Sequence, residues 1–261
     1  MSYPAIKITF LGTGTSSGVP MIGCDCPVCT SADKKDKRLR SSILLQTAKT
    51  TIAVDSGPDF RYQMLRAGVK KLDAIIYTHA HKDHVAGLDD VRGFNYFSGK
   101  PMEIYGTEMT LEVIIREFPY AFTEQKYPGA PNIRHNIIAT EPFYVGDIMI
   151  TPILVWHLHM PVLAFRFGKF TYVTDANRVD EESREKIKGS DILVVNALRK
   201  EKHISHFSLS ESITLVRELG IPEAYLTHIS HQLGKHADVS EELPKGIQLA
   251  YDTLVLDLPA Y

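Results

Sequence analysis

The segment Thr78-His79-Ala80-His81-Lys82-Asp83-His84 carries three histidines and one aspartate within six consecutive positions. It directly follows the apolar run Ala74-Ile75-Ile76-Tyr77, which is typical of a buried strand. Imidazole and carboxylate groups are the ligands that borderline divalent metals prefer. Asp83 and His84 are neighbours and diverge, so each can face a different ion. The segment therefore predicts a site for two metal ions at the end of a strand.

Three more candidate ligands stand at the carboxyl ends of other apolar runs. These residues are His157, Asp175 and His228. A polar residue in this position belongs to the rim of a sheet, where side chains from several strands can meet. His159 is an alternative to His157, because residues two apart in a strand face the same side.

The motif His79-Ala80-His81-Lys82-Asp83-His84 matches the H-x-H-x-D-H signature of the metallo-β-lactamase superfamily, which the chain resembles over nearly its whole length. The resemblance implies an α/β (α+β) fold, a four-layer αββα sandwich with two divalent ions, zinc or manganese, at the edge of its sheets. We expect a single domain over residues 1–261. The implied ligands are His79, His81 and His157 on one ion, Asp83, His84 and His228 on the other, and Asp175 between them. When His157 is taken as the ligand, the residues that follow it match the family better than when His159 is taken.

A second cluster, Cys24-Asp25-Cys26-Pro27-Val28-Cys29, brings three thiols together. An odd number of closely spaced cysteines argues against a disulfide framework and for a metal site. Three thiols leave a tetrahedral zinc one ligand short. His231 is the first candidate for the fourth ligand and His236 the second.

This cysteine motif narrows the resemblance. Together with Ser17-Gly18-Val19-Pro20 before it and Thr227-His228-Ile229-Ser230-His231 near the end, it resembles the PhnP-like cyclic phosphodiesterases. Those proteins are similar to the tRNA 3′-processing nucleases but lack their RNA-binding arm. The resemblance implies a homodimer and a structural zinc, separate from the catalytic pair. The implied zinc ligands are Cys24, Cys26, Cys29 and His231.

His206, in Ser205-His206-Phe207-Ser208, resembles the general acid of the phosphodiesterase members, with His203 as the alternative. Asp83 is expected to help orient the nucleophile. The predicted function is therefore a metal-dependent hydrolase that cleaves a small phosphodiester, linear or cyclic, through a hydroxide held by the metal pair. The alternative is a lactone or thioester hydrolase of the same superfamily.

Composition limits the partners. The chain has 261 residues with 29 basic and 31 acidic side chains, a net charge of −2, so no basic surface for nucleic acid is expected. The longest apolar stretch, Ile148 to Trp156, is too short to span a membrane. The first residues lack a signal-peptide pattern, so we expect a cytoplasmic protein.

Periodicity predicts the main elements. Predicted strands are Ile6–Leu11, Ser42–Thr47, Thr51–Val54, Asp73–Thr78, Met102–Tyr105, Ile148–Val155, Leu163–Phe167, Phe170–Thr174, Ile192–Asn196, Ala224–Thr227 and Leu254–Leu256. Predicted helices are Phe60–Ala67, Thr107–Glu117, Glu181–Lys188 and Leu209–Leu219, the last with a capping box from Ser208 to Glu211. The turn Gly12–Gly18 is expected near the site, and Phe118–Pro131 is expected to be a long excursion.

Overall fold

The computed structural model describes residues 3–123 and 127–260, and within these ranges the chain forms fourteen strands and eight α-helices. The strands are β1 Ile6–Gly12, β2 Ser42–Gln46, β3 Thr51–Val54, β4 Ala74–Ile76, β5 Met102–Gly106, β6 Ile133–Ile137, β7 Phe143–Val145, β8 Ile148–His157, β9 Met160–Phe167, β10 Phe170–Tyr172, β11 Ile192–Asn196, β12 Glu223–Thr227, β13 Ile247–Leu249 and β14 Val255–Leu258. The helices are α1 Phe60–Arg66, α2 Lys82–Val85, α3 Arg92–Ser98, α4 Glu108–Glu117, α5 Pro119–Phe122, α6 Glu181–Ile187, α7 Leu209–Glu218 and α8 His236–Glu242.

The strands form two seven-stranded sheets with the same internal plan. The first has the order β14-β1-β2-β3-β4-β5-β6 and the second β13-β12-β11-β10-β9-β8-β7. In the first sheet the successive neighbours β14, β1, β2 and β3 pair antiparallel. The neighbours β3, β4, β5 and β6 pair parallel. In the second sheet β7 to β10 are antiparallel and β10 to β13 parallel. Because parallel neighbours need crossover connections, helices lie over the outer faces.

Alternation along the strands builds the layers. In β2, Ile43 and Leu45 belong to the cluster between the sheets, together with Phe165 of β9. Leu44, between them, points the other way and packs with Phe60 of α1. The second sheet is covered by its own helices in the same manner. Helix, sheet, sheet and helix therefore follow one another, and the predicted αββα sandwich is confirmed.

The predicted capping box at the start of α7 is also observed in part. In α7 the backbone N–H of Ser208 donates to the Glu211 carboxylate at 2.9 Å, which is half of the predicted capping box. Gly220 follows the helix with a φ of +65°, a left-handed value that glycine adopts readily.

Several elements were not predicted from the sequence. The strands among them are β6, β7 and β13, and the helices are α2, α3, α5 and α8. All three strands lie at sheet edges, where one neighbour and one partly solvated face demand few apolar residues. In β6 three of the five residues are exposed, so its pattern of apolar residues does not predict a strand.

The expected excursion Phe118–Pro131 contains a short helix. α5 follows α4 almost at once, and Tyr120 in it donates a hydrogen bond to Asp89 at 2.6 Å. Lys82, within the histidine-rich segment, pairs with Glu117 at the end of α4. The start of the excursion is thus attached beside the histidine-rich segment, whereas residues 124–126 lie outside the described ranges.

A buried arginine joins the early loop to the end of the chain. Arg38 is only 4% exposed, and its guanidinium donates to Thr13 Oγ1 at 2.8 Å and to the Ala250 carbonyl at 2.6 Å. Its other terminal nitrogen lies 3.2 Å from Nδ1 of His236. Burial lowers the pKa of Arg38 to about 10, against the opposing effect of Asp252, so the group stays charged at neutral pH.

Replacing Arg38 with methionine should lower the free energy of unfolding by about 3–5 kcal/mol, because one member of a buried charged network is removed and its partners stay buried. Urea denaturation measures this loss. Lys71→Met is the control, since Lys71 is 67% exposed and forms a surface ion pair with Asp73; its loss should stay under about 1 kcal/mol. Equal losses in the two variants would contradict the role given to Arg38.

Among the described residues, no helix is both long enough and apolar enough to cross a bilayer.

Candidate metal centre

Three strand ends deliver polar side chains to one rim through left-handed backbone corners. Asp55 directly follows β3, Asp175 lies three residues after β10, and His228 directly follows β12. Their φ angles are +64°, +53° and +54°, values that residues other than glycine adopt at a cost. The buried strands before each corner hold that conformation in place. The chain therefore turns sharply where each of these side chains leaves its strand.

Asp55 organises the histidine-rich segment. Its carboxylate accepts hydrogen bonds from the backbone N–H and the hydroxyl of Thr78, both at 2.9 Å. It also lies 2.7 Å from Nδ1 of His84, on α2. The Thr78 hydroxyl in turn lies 3.0 Å from Nδ1 of His79. In both histidines Nδ1 has a partner, which leaves Nε2 for the site.

His157, at the end of β8, is oriented in a similar way. Its Nδ1 lies 2.7 Å from the backbone carbonyl oxygen of Ser205. The imidazole is 9% exposed, whereas His159 is exposed on the turn after it. The hairpin turn begins immediately after His157, so the two residues do not share a strand face. The structure thus brings His157, and not His159, into the group.

One set of donor atoms converges tightly. Those of Asp83, His84, Asp175 and His228 all lie within 4.8 Å of one another. His84 Nε2 is 3.2 Å from Asp83 Oδ2 and 2.9 Å from Asp175 Oδ2. His228 Nε2 is 3.0 Å from Asp175 Oδ1. This is the set that the family resemblance assigns to the second ion and to the bridging aspartate.

The other three histidines form a ring cluster next to it. The centroid of the His79 ring lies 4.6 Å from that of His81 and 5.9 Å from that of His157. The His81 and His157 centroids are 5.1 Å apart. The structure therefore also gathers the residues that the sequence assigns to the first ion.

His206 is in direct contact with these candidate ligands. Its Nε2 is 2.8 Å from Asp175 Oδ1, and its ring centroid is 4.5 Å from that of His157. On the opposite side, Nδ1 lies 3.0 Å from the Ser205 hydroxyl and 3.3 Å from Nδ1 of His203. His206 thus faces the site, and His203 lies behind it.

These residues fit a divalent cation by two observations. Nε2 of His79 is buried without a hydrogen-bond partner, which is costly unless another group occupies its lone pair. Burial opposes protonation of His84, yet Asp175, Asp55 and Asp83 around it raise its pKa well above the ordinary value. A buried concentration of carboxylates of this kind requires positive charge, which a metal ion supplies.

The pKa values of two neighbouring groups, His79 and Asp175, are both lowered, for different reasons. Burial, reinforced by His84, lowers the pKa of His79 well below its ordinary value, which favours the neutral imidazole that binds metals. Burial acts against ionisation of Asp175, but the imidazoles of His228 and His84 hold its pKa well below the ordinary value. Asp175 is therefore a carboxylate, the form that can bridge two ions.

Two residues that contact the candidate ligands, Thr15 and Ser205, were not predicted from the sequence. The Thr15 hydroxyl, in the Gly12–Gly18 turn, lies 3.2 Å from Nε2 of His228, and its backbone N–H donates to the Ile229 carbonyl at 3.1 Å. Ser205 holds His157 through its carbonyl. No residue pattern signals either contact, because each joins segments far apart in the chain.

The thiols form a separate cluster with a donor set that suits zinc. The ligand atoms of Cys24, Cys26, Cys29 and His231 all lie within 4.8 Å of one another. The sulfurs of Cys24 and Cys26 are each 3.3 Å from Nδ1 of His231. A hydrogen bond from the Cys29 backbone N–H, together with His231, lowers the pKa of Cys26 to about 6, whereas burial raises the pKa of Cys29 to about 11.

His236, the second candidate for this cluster, lies elsewhere. It begins α8, and its ring meets Arg38 and the ring of Tyr251. Burial, followed by the charge of Arg38, lowers its pKa to about 4. His236 therefore belongs to the buried arginine network and not to the thiol cluster.

A two-sheet sandwich with histidines and aspartates converging on one rim defines the class, a hydrolase of the metallo-β-lactamase fold. The chain belongs to the β-lactamase superfamily domain family, whose sequence profile matches residues 50–229.

Comparisons with individual proteins confirm the narrower resemblance. The crystal structure of a diphosphatase from the PhnP family is 39% identical and superposes with a TM-score of 0.92, covering 99% of this chain and 98% of that one. An octanoyltransferase from Porphyromonas gingivalis is 37% identical over 95% of this chain, but the chain spans only 51% of that relative's length. A ribonuclease Z from Clostridium kluyveri is 25% identical, covering 87% of this chain and 89% of that protein.

Proposed function

We propose that the protein is a metal-dependent phosphodiesterase that cleaves a small phosphodiester, linear or cyclic. The observation that carries this proposal is the position of His206, whose Nε2 lies 2.8 Å from Asp175 among the candidate metal ligands. An acid is needed there when the leaving group is an alkoxide, which departs poorly without a proton. The similarity to a PhnP-family diphosphatase supports chemistry at phosphorus.

The proposed metal pair, zinc or manganese, would be held by the residues already described. They are His79, His81 and His157 for one ion, Asp83, His84 and His228 for the other, and Asp175 for both. When bound, such ions lower the pKa of water and neutralise charge on phosphate oxygens.

The protein's own groups then have distinct roles. His206 would deliver a proton from Nε2 to the leaving oxygen; burial lowers the pKa of this imidazole, the contact with Asp175 opposes that effect, and the Ser205 hydroxyl on the Nδ1 side fixes the ring. Asp83 is 12% exposed, more than His84 or Asp175 beside it, and its carboxylate would orient the attacking nucleophile. Thr15 lies beside His228, with its hydroxyl 3.2 Å from Nε2, and so helps to position that imidazole.

The second candidate function is hydrolysis of a thioester. One observation favours it, namely the similarity to a relative described as an octanoyltransferase, although the chain spans half of that relative. A thioester does not require an acid at His206, since a thiolate leaves without protonation. The two candidates therefore differ in how strongly they depend on His206.

One preparation of metal-replete protein tests the two functions. Hydrolysis of bis(p-nitrophenyl) phosphate and of an octanoyl thioester would be measured together, with a 3′-extended tRNA as a third substrate. We expect turnover of the phosphodiester and bound metal near three ions per chain, two in the pair and one on the thiols. Turnover of the thioester alone would replace the proposal with the second function, and cleavage of the tRNA alone would show that the substrate is not small.

His206→Ala should reduce kcat/KM about 10²–10⁴-fold on a phosphodiester with an alkoxide leaving group, because the proton donor is lost. The loss should be much smaller with p-nitrophenolate, which needs no proton. His135→Ala is the matched control, since His135 is an exposed histidine on β6. An equal loss on both substrates would contradict a general-acid role.

We also propose that the thiol cluster holds a structural zinc. Cys26→Ser should then remove one ion per chain, leave the metal pair bound, and lower the free energy of unfolding by about 3 kcal/mol or more. Metal analysis and urea denaturation measure the two effects. Asp25→Asn, an exposed position between the thiols, should change neither. Unchanged metal content in Cys26→Ser would rule out the zinc.

A further inference from the structure

We propose that Leu158 and Ile204 form an apolar subsite at the mouth of the metal centre, which takes an apolar ester group, alkyl or aryl, of the substrate. This inference rests on the proposed phosphodiesterase function and deepens it. The subsite would give the enzyme a preference among the ester groups of its substrate, in addition to the proposed reaction at phosphorus.

Leu158 is held in an unfavourable conformation next to a candidate ligand. It follows His157 directly, in the turn between β8 and β9, and its φ is +59°. A bulky side chain rarely adopts this value, and glycine or asparagine would suit it better. Leu158 is nevertheless 43% exposed, so packing in the core does not account for leucine here. Strain of this kind points to a functional demand on the side chain.

Ile204 approaches the same place from another loop. It is 74% exposed and directly precedes Ser205, whose carbonyl oxygen holds His157. It is also two residues before His206, the proposed acid. An apolar side chain at this point therefore flanks the region where an ester group of the substrate would lie.

One side chain fixes the two residues relative to each other. Asn177 Oδ1 accepts a hydrogen bond from the Leu158 backbone N–H at 2.8 Å, and its Nδ2 donates to the Ile204 carbonyl at 2.9 Å. The Asn177 backbone N–H donates to the Trp156 carbonyl at 2.9 Å. Single exposed apolar residues are common and need no explanation. Two of them, clamped by one amide beside the reacting groups, form a surface ready for contact.

Competitive inhibition by dialkyl phosphates tests this subsite, because either ester arm can occupy it. The reporter is hydrolysis of methyl p-nitrophenyl phosphate, and the inhibitors are dimethyl phosphate and dibutyl phosphate. We expect the inhibition constant of dibutyl phosphate to be about 10-fold lower, since each buried methylene strengthens binding.

The variant Leu158→Asn/Ile204→Ser should reduce this preference to about 2-fold and leave the inhibition constant of dimethyl phosphate unchanged, while the KM of the reporter, whose aryl arm can also occupy the subsite, should rise. Asparagine at position 158 tolerates the left-handed backbone, which guards against misfolding. Ile137→Ser is the matched control, because Ile137 on β6 is 63% exposed, and it should keep the full preference.

The outcomes separate the two proposals. Turnover of the reporter without any preference for dibutyl phosphate overturns the subsite and leaves the phosphodiesterase function intact. A preference that survives in the double variant overturns the assignment to these two residues. No turnover of the reporter by metal-replete protein overturns the proposed function itself.

Discussion

The carboxylates of Asp55, Asp83 and Asp175 surround one buried imidazole, that of His84, and the rest of the site depends on this concentration of charge. Buried like charges are tolerated only with a compensating cation or proton. Asp55 meets the requirement in part by accepting hydrogen bonds from Thr78, which also sets the start of the histidine-rich segment. The same contacts that orient the candidate ligands therefore also hold the segment against the sheet, so a metal ion bound there would stabilise the folded state.

The backbone contributes as much as the side chains. Within the described residues, five positions other than glycine have a left-handed φ, and four of these lie in the site or beside it: Asp55, Leu158, Asp175 and His228. Each corner turns a side chain away from its strand and towards the shared rim. The cost is borne by the packed strands on both sides of the sandwich, whose core residues leave the backbone little freedom to relax.

A single segment connects the two clusters of candidate ligands. His228 and His231 are three residues apart after β12, and one faces the metal centre while the other meets the thiols. The backbone N–H of Ile229, between them, donates to the Thr13 carbonyl at 2.9 Å, and the Thr13 hydroxyl accepts from Arg38. The thiol loop, the buried arginine and the candidate metal centre thus share one support, so the zinc proposed on the thiols would stabilise the fold although it lies away from the proposed reaction.

Most strands, half of the described helices, the histidine-rich segment and the three clustered thiols could be predicted from the sequence, because periodicity and close spacing are local properties; the sandwich was implied by the family resemblance. The sequence left His157 and His159 open, since the turn that separates their directions is fixed by contacts of Asn177 and Ser205 from distant segments. The edge strands β6, β7 and β13 were also not predicted, because the burial of an edge strand depends on only one neighbouring strand. How closely these side chains approach one another, and the added contacts of Thr15 and Ser205, became visible only in the folded chain, since they depend on how separate strands end and turn in space.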